Sequence, residues 1–395
     1  MSLLEGVKVV ELPGDTALTV CGRILAYWKA DVVKIERLNA PAQAQNDKAG
    51  KLIREAGDAG KRSITIDLST PEGQAIFGRL LENADVLLAG PTIDKADGTQ
   101  LDIAELTEKY PELICASVSA YGGKGELAGL PGSGAGSFWA RSGFSGFFGE
   151  PDAPPVTPLY GMDAQVTGAY LANGIAAALI GRDATGRGER VETSMYHSAI
   201  WSAGLFNATS NYWENPRKTR RRPDAPLINS FRARDGKWFS TAIMEHERFW
   251  PLLCDCIGRP DLAGDERFSL FKNAALVSEE LTSLLDAVFA EKDRDEWLAL
   301  FETADIPAGA IFDARDVLSD GQALENDYLK KVLLDDGGEA ILPTPPYHFS
   351  ETDTGDWAAA PQRGADTIEI LKGAGCETAD IAALIARKVV GGTVE

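Results

Sequence analysis

Positive charge is scarce in this 395-residue chain: 39 Lys and Arg stand against 59 Asp and Glu, a formal net charge of −20. Such an acidic chain matches nucleic acid poorly, because neutralising phosphates takes basic surface. Histidine is scarcer still, limited to His197, His246 and His348. No H-x-x-x-H pair occurs, and the Cys254/Cys256 pair has no second C-x-x-C or histidine cluster nearby. A zinc site needs about four ligands at recurring spacings, so no metal is expected. The five cysteines are scattered without framework spacing, as expected of reduced thiols in a cytoplasm. No apolar run approaches the ~18 residues of a membrane span. Met1–Val10 lacks the basic start and long apolar middle of a signal peptide, so a cytoplasmic protein without a membrane partner is expected. Internal repeats and low-complexity tracts are also missing. The run VVELPGDTA after the first strand carries no G-x-G-x-x-G, which argues against NAD or FAD. GFSGF at 143–147 falls one residue short of a G-x-S-x-G elbow, which disfavours acyl transfer through serine.

What remains reads as an ordinary globular composition, 44% hydrophobic and 25% charged. The first two hundred residues alternate strand and helix. VKVVEL, DVVKIE at 31–36, SITIDL, DVLLAG, LICASVS and VETS are short strand-like runs. Ala17–Trp28 has helical character, and another helix is expected from Thr70 as N-cap with Pro71 in its first turn. Alternation of this kind predicts a parallel sheet covered by helices on both faces. The expected fold class is α/β: a Rossmann-like parallel-sheet large domain plus a smaller α+β domain.

Composition shifts divide the chain. Residues 121–158 are crowded with Gly and Pro and read either as a surface connection or as backbone approaching a ligand. A basic, Pro-containing run at 211–226 marks a boundary. The expected organisation is a large domain over 1–210, a linker at 211–227, a small domain over 228–325, and a return segment with the C-terminal part of the large domain over 326–395. Within the small domain, a strand pair in FRARDGKWFSTAI and helices at Phe249–Gly258, Ser278–Ala290 and Asp293–Ala304 are expected. A last helix is expected over Thr378–Arg387.

For chemistry, the stretch from Leu159 to Ala199 is the most informative. Asp163 stands in an expected polar loop ahead of an Ala/Gly/Leu helix at Gly168–Ile180, and the turn TGRGER and the strand VETS come after it. Read on its own, an Asp before a helix is a cap for the free amides of the first turn. A helix of such small residues also suits close approach by a large ligand. Lys34 and Arg37 lie toward the carboxyl end of the second strand, where open α/β sheets hold ligands. Lys61 and Arg62 precede the third strand; basic pairs of this kind are usually solvated, but in so acidic a chain they stand out as candidates to meet an anionic ligand.

The same stretch resembles the class III CoA-transferase family, which includes formyl-CoA:oxalate and carnitine CoA-transferases and α-methylacyl-CoA racemase. An Asp, a G-x-x-A-A-L helix, a T-G-[RK]-G-[EQ] turn and an [ST]-M-x-[DEH] helix start come in the family's order. The likeness continues through LLEGVKVVEL at 3–12, GKRSITIDLSTPEG at 60–73, GEPDAPPV at 149–156, FRARDGKWF at 231–239, WPLLCDCIGRPDL at 250–262 and IPAGAIFDARDVLSD at 306–320, to the C-terminal tail.

The resemblance implies a transferase that moves CoA from an acyl-CoA donor to a carboxylic acid acceptor. Asp163 would be the nucleophile, passing through an aspartyl anhydride and an aspartyl-CoA thioester. CoA or acyl-CoA enters as substrate, with no permanently bound cofactor. Contacts to it are implied at Thr16 and Ala17 after the first strand, at Arg37 after K-[IV]-E, and at Ile66, Asp67, Leu68 and Ser69; Lys34 is added as a candidate on its place at the carboxyl end of the second strand. An interlocked homodimer is implied as well. Two loops depart from the family pattern: Ala17–Thr19 reads A-L-T for A-G-P, and AGPTID replaces N-[FY]-[RG]-P-G. Where racemase members carry a histidine in P-G-H-D, this chain reads PGSGAG at 131–136. Racemisation needs two opposed acid/base groups, so a racemase is the weaker alternative. A CoA-binding paralogue without turnover is the other.

Overall fold

The computed structural model describes residues 3–38, 48–90, 103–150, 153–158, 161–212, 219–334, 337–352, 354 and 357–392. It divides into two compact units: Met1–Phe144, Thr157–Asn207 and Leu324–Glu395 form the first, Ser145–Val156 and Ala208–Ala323 the second.

The first unit is an α/β layer structure. Its strands β1 (Lys8–Glu11), β2 (Asp31–Arg37), β3 (Arg62–Ile66), β4 (Val86–Ala89), β5 (Ile114–Ser119) and β6 (Arg190–Ser194) pair in parallel in the order β3-β2-β1-β4-β5-β6. That order turns back between β1 and β4, and open α/β sheets place their ligands outside the carboxyl ends of the strands at such a point. Period-two burial sets the two faces. Val9, Val32 and Leu88 look to one core, Val10, Val33 and Leu87 to the other.

Helices α1 (Thr16–Tyr27), α2 (Lys48–Asp58), α3 (Pro71–Leu81) and α4 (Ile103–Lys109) come after β1 to β4, and α5 (Met162–Thr185) and α6 (Met195–Thr209) flank β6. The cap read at Thr70 is present: its hydroxyl accepts the Gly73 amide, with Pro71 in the first turn. Such a cap is worth about 1 kcal/mol. Helices α1 and α5 lie in close contact because Gly168 has no side chain. A methyl there would fall 2.6 Å from the Ala17 carbonyl oxygen and 2.8 Å from Val20 Cβ.

Two local expectations change. Helix α5 begins at Met162 rather than Gly168, so Asp163 stands in a helical turn and not in a loop. The Pro-containing return segment forms an antiparallel hairpin, Leu329–Leu333 with Glu339–Pro343. In the second unit, strands Ile228–Arg232, Trp238–Ala242 and Ala308–Ile311 make an antiparallel sheet. Helices His246–Cys256, Ser278–Phe289 and Arg294–Thr303 accompany it over an aromatic core of Phe231, Phe239, Trp250, Phe289, Trp297 and Phe301.

Candidate active site

Asp163 lies in the first turn of α5, half-buried, at the second helical position. The cap position is Gly161, in the left-handed region at φ 76°, and no side chain caps the helix. Asp163 therefore does not do what its sequence position first suggests. Among the described residues its carboxylate makes no hydrogen bond and no ion pair. Its place is reserved by Gly134, in the Gly-rich run after β5. A methyl at 134 would fall 1.4 Å from Asp163 Oδ2 and 2.3 Å from its Cγ, so the carboxylate fills the volume that any side chain there would take. The Gly/Pro crowding of this run thus serves a close approach at this point.

A second carboxylate faces it. Asp15, between β1 and α1, caps α1 through a 2.8 Å hydrogen bond accepted from the Ala17 amide. Burial pushes its carboxyl above the usual range; the Ala17 amide works against that rise, and the Asp163 charge adds to it. The Asp163 carboxylate is thus half-buried, with no hydrogen-bond donor among the described residues, and its oxygens are open to a ligand. A carboxylate placed in this way can act as a nucleophile toward an electrophile.

Thr16 and Ala17 belong to this cluster: Thr16 is exposed at the start of α1, and the Ala17 carbonyl abuts Gly168 of α5. Arg37 is exposed at the end of β2, in register with Ile66 at the end of β3. Beyond Ile66, Asp67 Oδ1 accepts the Ser69 amide at 3.0 Å, and Leu68 is buried. The C-terminal segment closes on this turn, the Asp67 amide donating to the Val389 carbonyl at 2.8 Å. Lys34 stands apart from these. Its ammonium lies 2.5 Å from Asp58 Oδ2.

That pair is one edge of a buried ion cluster that sequence reasoning missed. Lys61, expected to be solvated, has a fully buried ammonium 2.7 Å from Glu11 Oε2 and 3.1 Å from Asp58 Oδ1. It also donates to the Thr19 carbonyl at 2.9 Å. The Glu11 contact is close but off the angle of an aligned hydrogen bond. Glu11 fits because Gly22 is bare: a methyl there would fall 2.0 Å from Glu11 Oε2. Burial raises the Glu11 carboxyl against the pull of Lys61 and Lys34. For Asp58, burial also pushes upward, but the two ammonium groups outweigh it and the net shift is down. Arg62 pairs with Asp31 through two hydrogen bonds of 2.8 and 2.5 Å.

In the basic run at 217–222, Arg220 is committed to structure, while Arg221 and Arg222 are exposed. Arg220 grips Asp286 with both terminal nitrogens, donates to the Ser230 carbonyl at 2.7 Å and lies over Phe231 and Trp238. Residues 217 and 218, and most of the departing AGPTID loop, lie outside the described residues. No cluster of three or more His, Cys, Asp or Glu side chains suited to a metal occurs among the described residues. His246 is buried, with Nε2 2.7 Å from the Phe268 carbonyl. The five cysteines are unpaired. No helix is long and apolar enough to cross a membrane among the described residues.

Known proteins give this geometry a context. The model of CoA-transferase family III matches residues 4–367. An (R)-2-hydroxy-4-methylpentanoate CoA-transferase of Clostridioides difficile is 31% identical over 383 residues, covering 94% of this chain and 96% of that protein. A cinnamoyl-CoA:phenyllactate CoA-transferase of Clostridium sporogenes is also 31% identical, over 94% of this chain and 93% of its own length. Among solved structures, a CaiB/BaiF family protein from Brucella suis superposes with a TM-score of 0.83 at 26% identity, covering 94% of this chain and 99% of that one. With the match running through the sheet, the Asp163 helix and the second unit alike, the chain belongs to CoA-transferase family III.

Proposed function

We propose that this protein moves CoA from an acyl-CoA donor to a carboxylic acid acceptor, with Asp163 as the covalent nucleophile. The observation that carries the reading is the Asp163 carboxylate itself, half-buried, without a partner among the described residues, and seated over Gly134. Its oxygen attacks the thioester carbonyl, the C–S bond breaks, and CoA leaves as thiolate, giving an acyl-aspartyl anhydride. The thiolate then attacks the aspartyl carbonyl and releases the donor acid as carboxylate, leaving an aspartyl-CoA thioester. The acceptor carboxylate displaces CoA from that thioester, and the thiolate returns to the acceptor carbonyl, freeing Asp163. Nothing is oxidised, and water must be kept out for exchange to win over hydrolysis. Thr16, Ala17, Arg37 and Ile66–Ser69 are proposed as contacts to CoA. Lys34 is proposed to act through its charge while held by Asp58. The Clostridioides and Clostridium relatives are both named for 2-hydroxy acids, which puts branched and aromatic 2-hydroxy acids first in an acceptor panel.

Incubation with an acyl-CoA and no acceptor should leave an adduct on the peptide spanning Gly161–Arg182, read by mass spectrometry. Hydroxylamine should convert Asp163 to a hydroxamate. An adduct on another residue, or one that persists in Asp163→Asn, would sink the reading.

An interlocked homodimer is proposed on the family resemblance. Supporting it, Trp201 and Leu205 on one face of α6 are 73% and 81% exposed. Sedimentation of a folded monomer at micromolar concentration would rule it out.

A further inference from the structure

Helix α1 has a second charged end. Asp15 stands at its amino terminus beside Asp163, while Arg23, Tyr27 and Lys29 lie in or just beyond its last two turns. Twelve residues of helix span roughly 18 Å, so the two ends are well separated. At the far end, within the first unit, a cavity of about 630 Å³ is bounded by these residues, Lys330 of the hairpin, and His348 and Trp357 of the return segment. That volume falls in the range of small-molecule sites, roughly 300–1,000 Å³.

Arg23 sets the chemistry of this cavity. It is only 8% exposed, yet among the described residues its guanidinium makes no hydrogen bond and no ion pair. Its contacts are ring faces: Trp357 at 4.6 Å and Tyr27 at 5.7 Å from the ring centroids. Glu55 is the nearest counter-charge, but its oxygens are taken by the Trp357 indole N–H at 2.7 Å and the Ala360 amide. Burial lowers the Arg23 guanidinium to about 10, with Tyr27 and Glu55 working against the drop, so it stays charged at neutral pH. With no protein acceptor among the described residues, its five N–H donors are open to a ligand in the cavity. Among the described residues, three cations (Arg23, Lys29, Lys330) line the space against two carboxylates, Asp327 and Glu351, in a chain of net charge −20. Lys330 and Asp327 are only loosely paired, at 3.8 Å.

We propose that this cavity is a binding site for an aryl carboxylate, separate from the Asp163 site, in which the Arg23 fork takes the carboxylate and Trp357 and Tyr27 flank the ring. A planar guanidinium meets a carboxylate through two parallel hydrogen bonds. Aromatic walls add ring contacts that a bare inorganic anion cannot use.

Calorimetric titration of the full chain with 2-naphthoate tests this. One equivalent should bind per chain and quench tryptophan fluorescence. Arg23→Met should weaken binding by about tenfold or more, the loss expected for a charge-assisted hydrogen-bonded pair. CoA exchange with an aliphatic acceptor should be unchanged in that variant. If Arg23→Met fails to fold, Trp357→Phe gives a second readout, since most of the naphthoate quench should disappear while the titration still shows binding. The proposal is overturned if Arg23→Met binds as tightly as the parent, if the quench survives in Trp357→Phe, or if inorganic phosphate displaces naphthoate at equal concentration. Absence of any naphthoate binding overturns it too, and leaves the Asp163 assignment untouched.

Discussion

Two charge clusters sit near the two ends of the link from β1 into α1, and they are built on opposite rules. Glu11, Asp58, Lys34 and Lys61 form a buried group of two acids and two bases, each 2.5 to 3.1 Å from a partner of opposite sign. Asp15 and Asp163 form a pair of like charges in which one member has no donor at all among the described residues. Both clusters use a glycine to make room, Gly22 for Glu11 and Gly134 for Asp163. In the balanced cluster Coulomb attraction offsets desolvation, fully for Asp58 and in part for Glu11, and removing one partner would leave the other charge buried alone. The like-charge pair has only the Ala17 amide, on Asp15, to offset desolvation, and Asp163 has no such partner among the described residues.

The comparison breaks most sharply in paired substitutions. Asp163→Asn should cut CoA exchange by roughly three or more orders of magnitude, as removal of a covalent nucleophile does. Its thermal midpoint should not fall, because no cap bond or ion pair is lost. Lys61→Met should do the reverse. It leaves Glu11 buried without its cation and should cost about 3–5 kcal/mol in denaturant unfolding. A stable Lys61→Met, or an Asp163→Asn that loses stability as well as turnover, would erase the distinction.

The smaller effect is one of pH. A carboxyl raised in the folded state, as Asp15 is by burial, keeps its proton after the unfolded chain has lost it. Stability then falls as pH rises from the ordinary carboxylate range through the raised folded value, and the full penalty stands above both. Asp15→Asn keeps an oxygen for the Ala17 amide and removes the charge. It should be more stable than the parent at neutral pH, with the gap closing at acid pH. Melting curves that run parallel across that range would show that Asp15 carries no such penalty.

Much of the first unit is legible in the sequence. Strand and helix alternate on local signals that survive folding: β-branched runs for β2 and β5, and the Thr70 cap with Pro71 for α3. Asp163 itself is found by resemblance, and its surroundings are not. Lys61 reads as a solvated basic residue because nothing local says that Glu11, fifty positions earlier, will meet it under Gly22. Asp15 carries no sequence signal of its own, since its neighbour Asp163 arrives from a distant helix. Helix α5 reads short because Met162–Thr167 lacks the small-residue character of Gly168–Ile180, while packing against α1 extends it.

The sequence by itself determined the order of elements, the parallel sheet and the family, because periodicity, caps and motif spacing are properties of neighbouring residues. Which charges are paired and which stand without a partner among the described residues was decided only in three dimensions. A carboxylate's free energy depends on the water it has lost and the partners it has gained. For Glu11, Asp163 and Arg23 those partners, or their absence among the described residues, come from segments far apart in the chain.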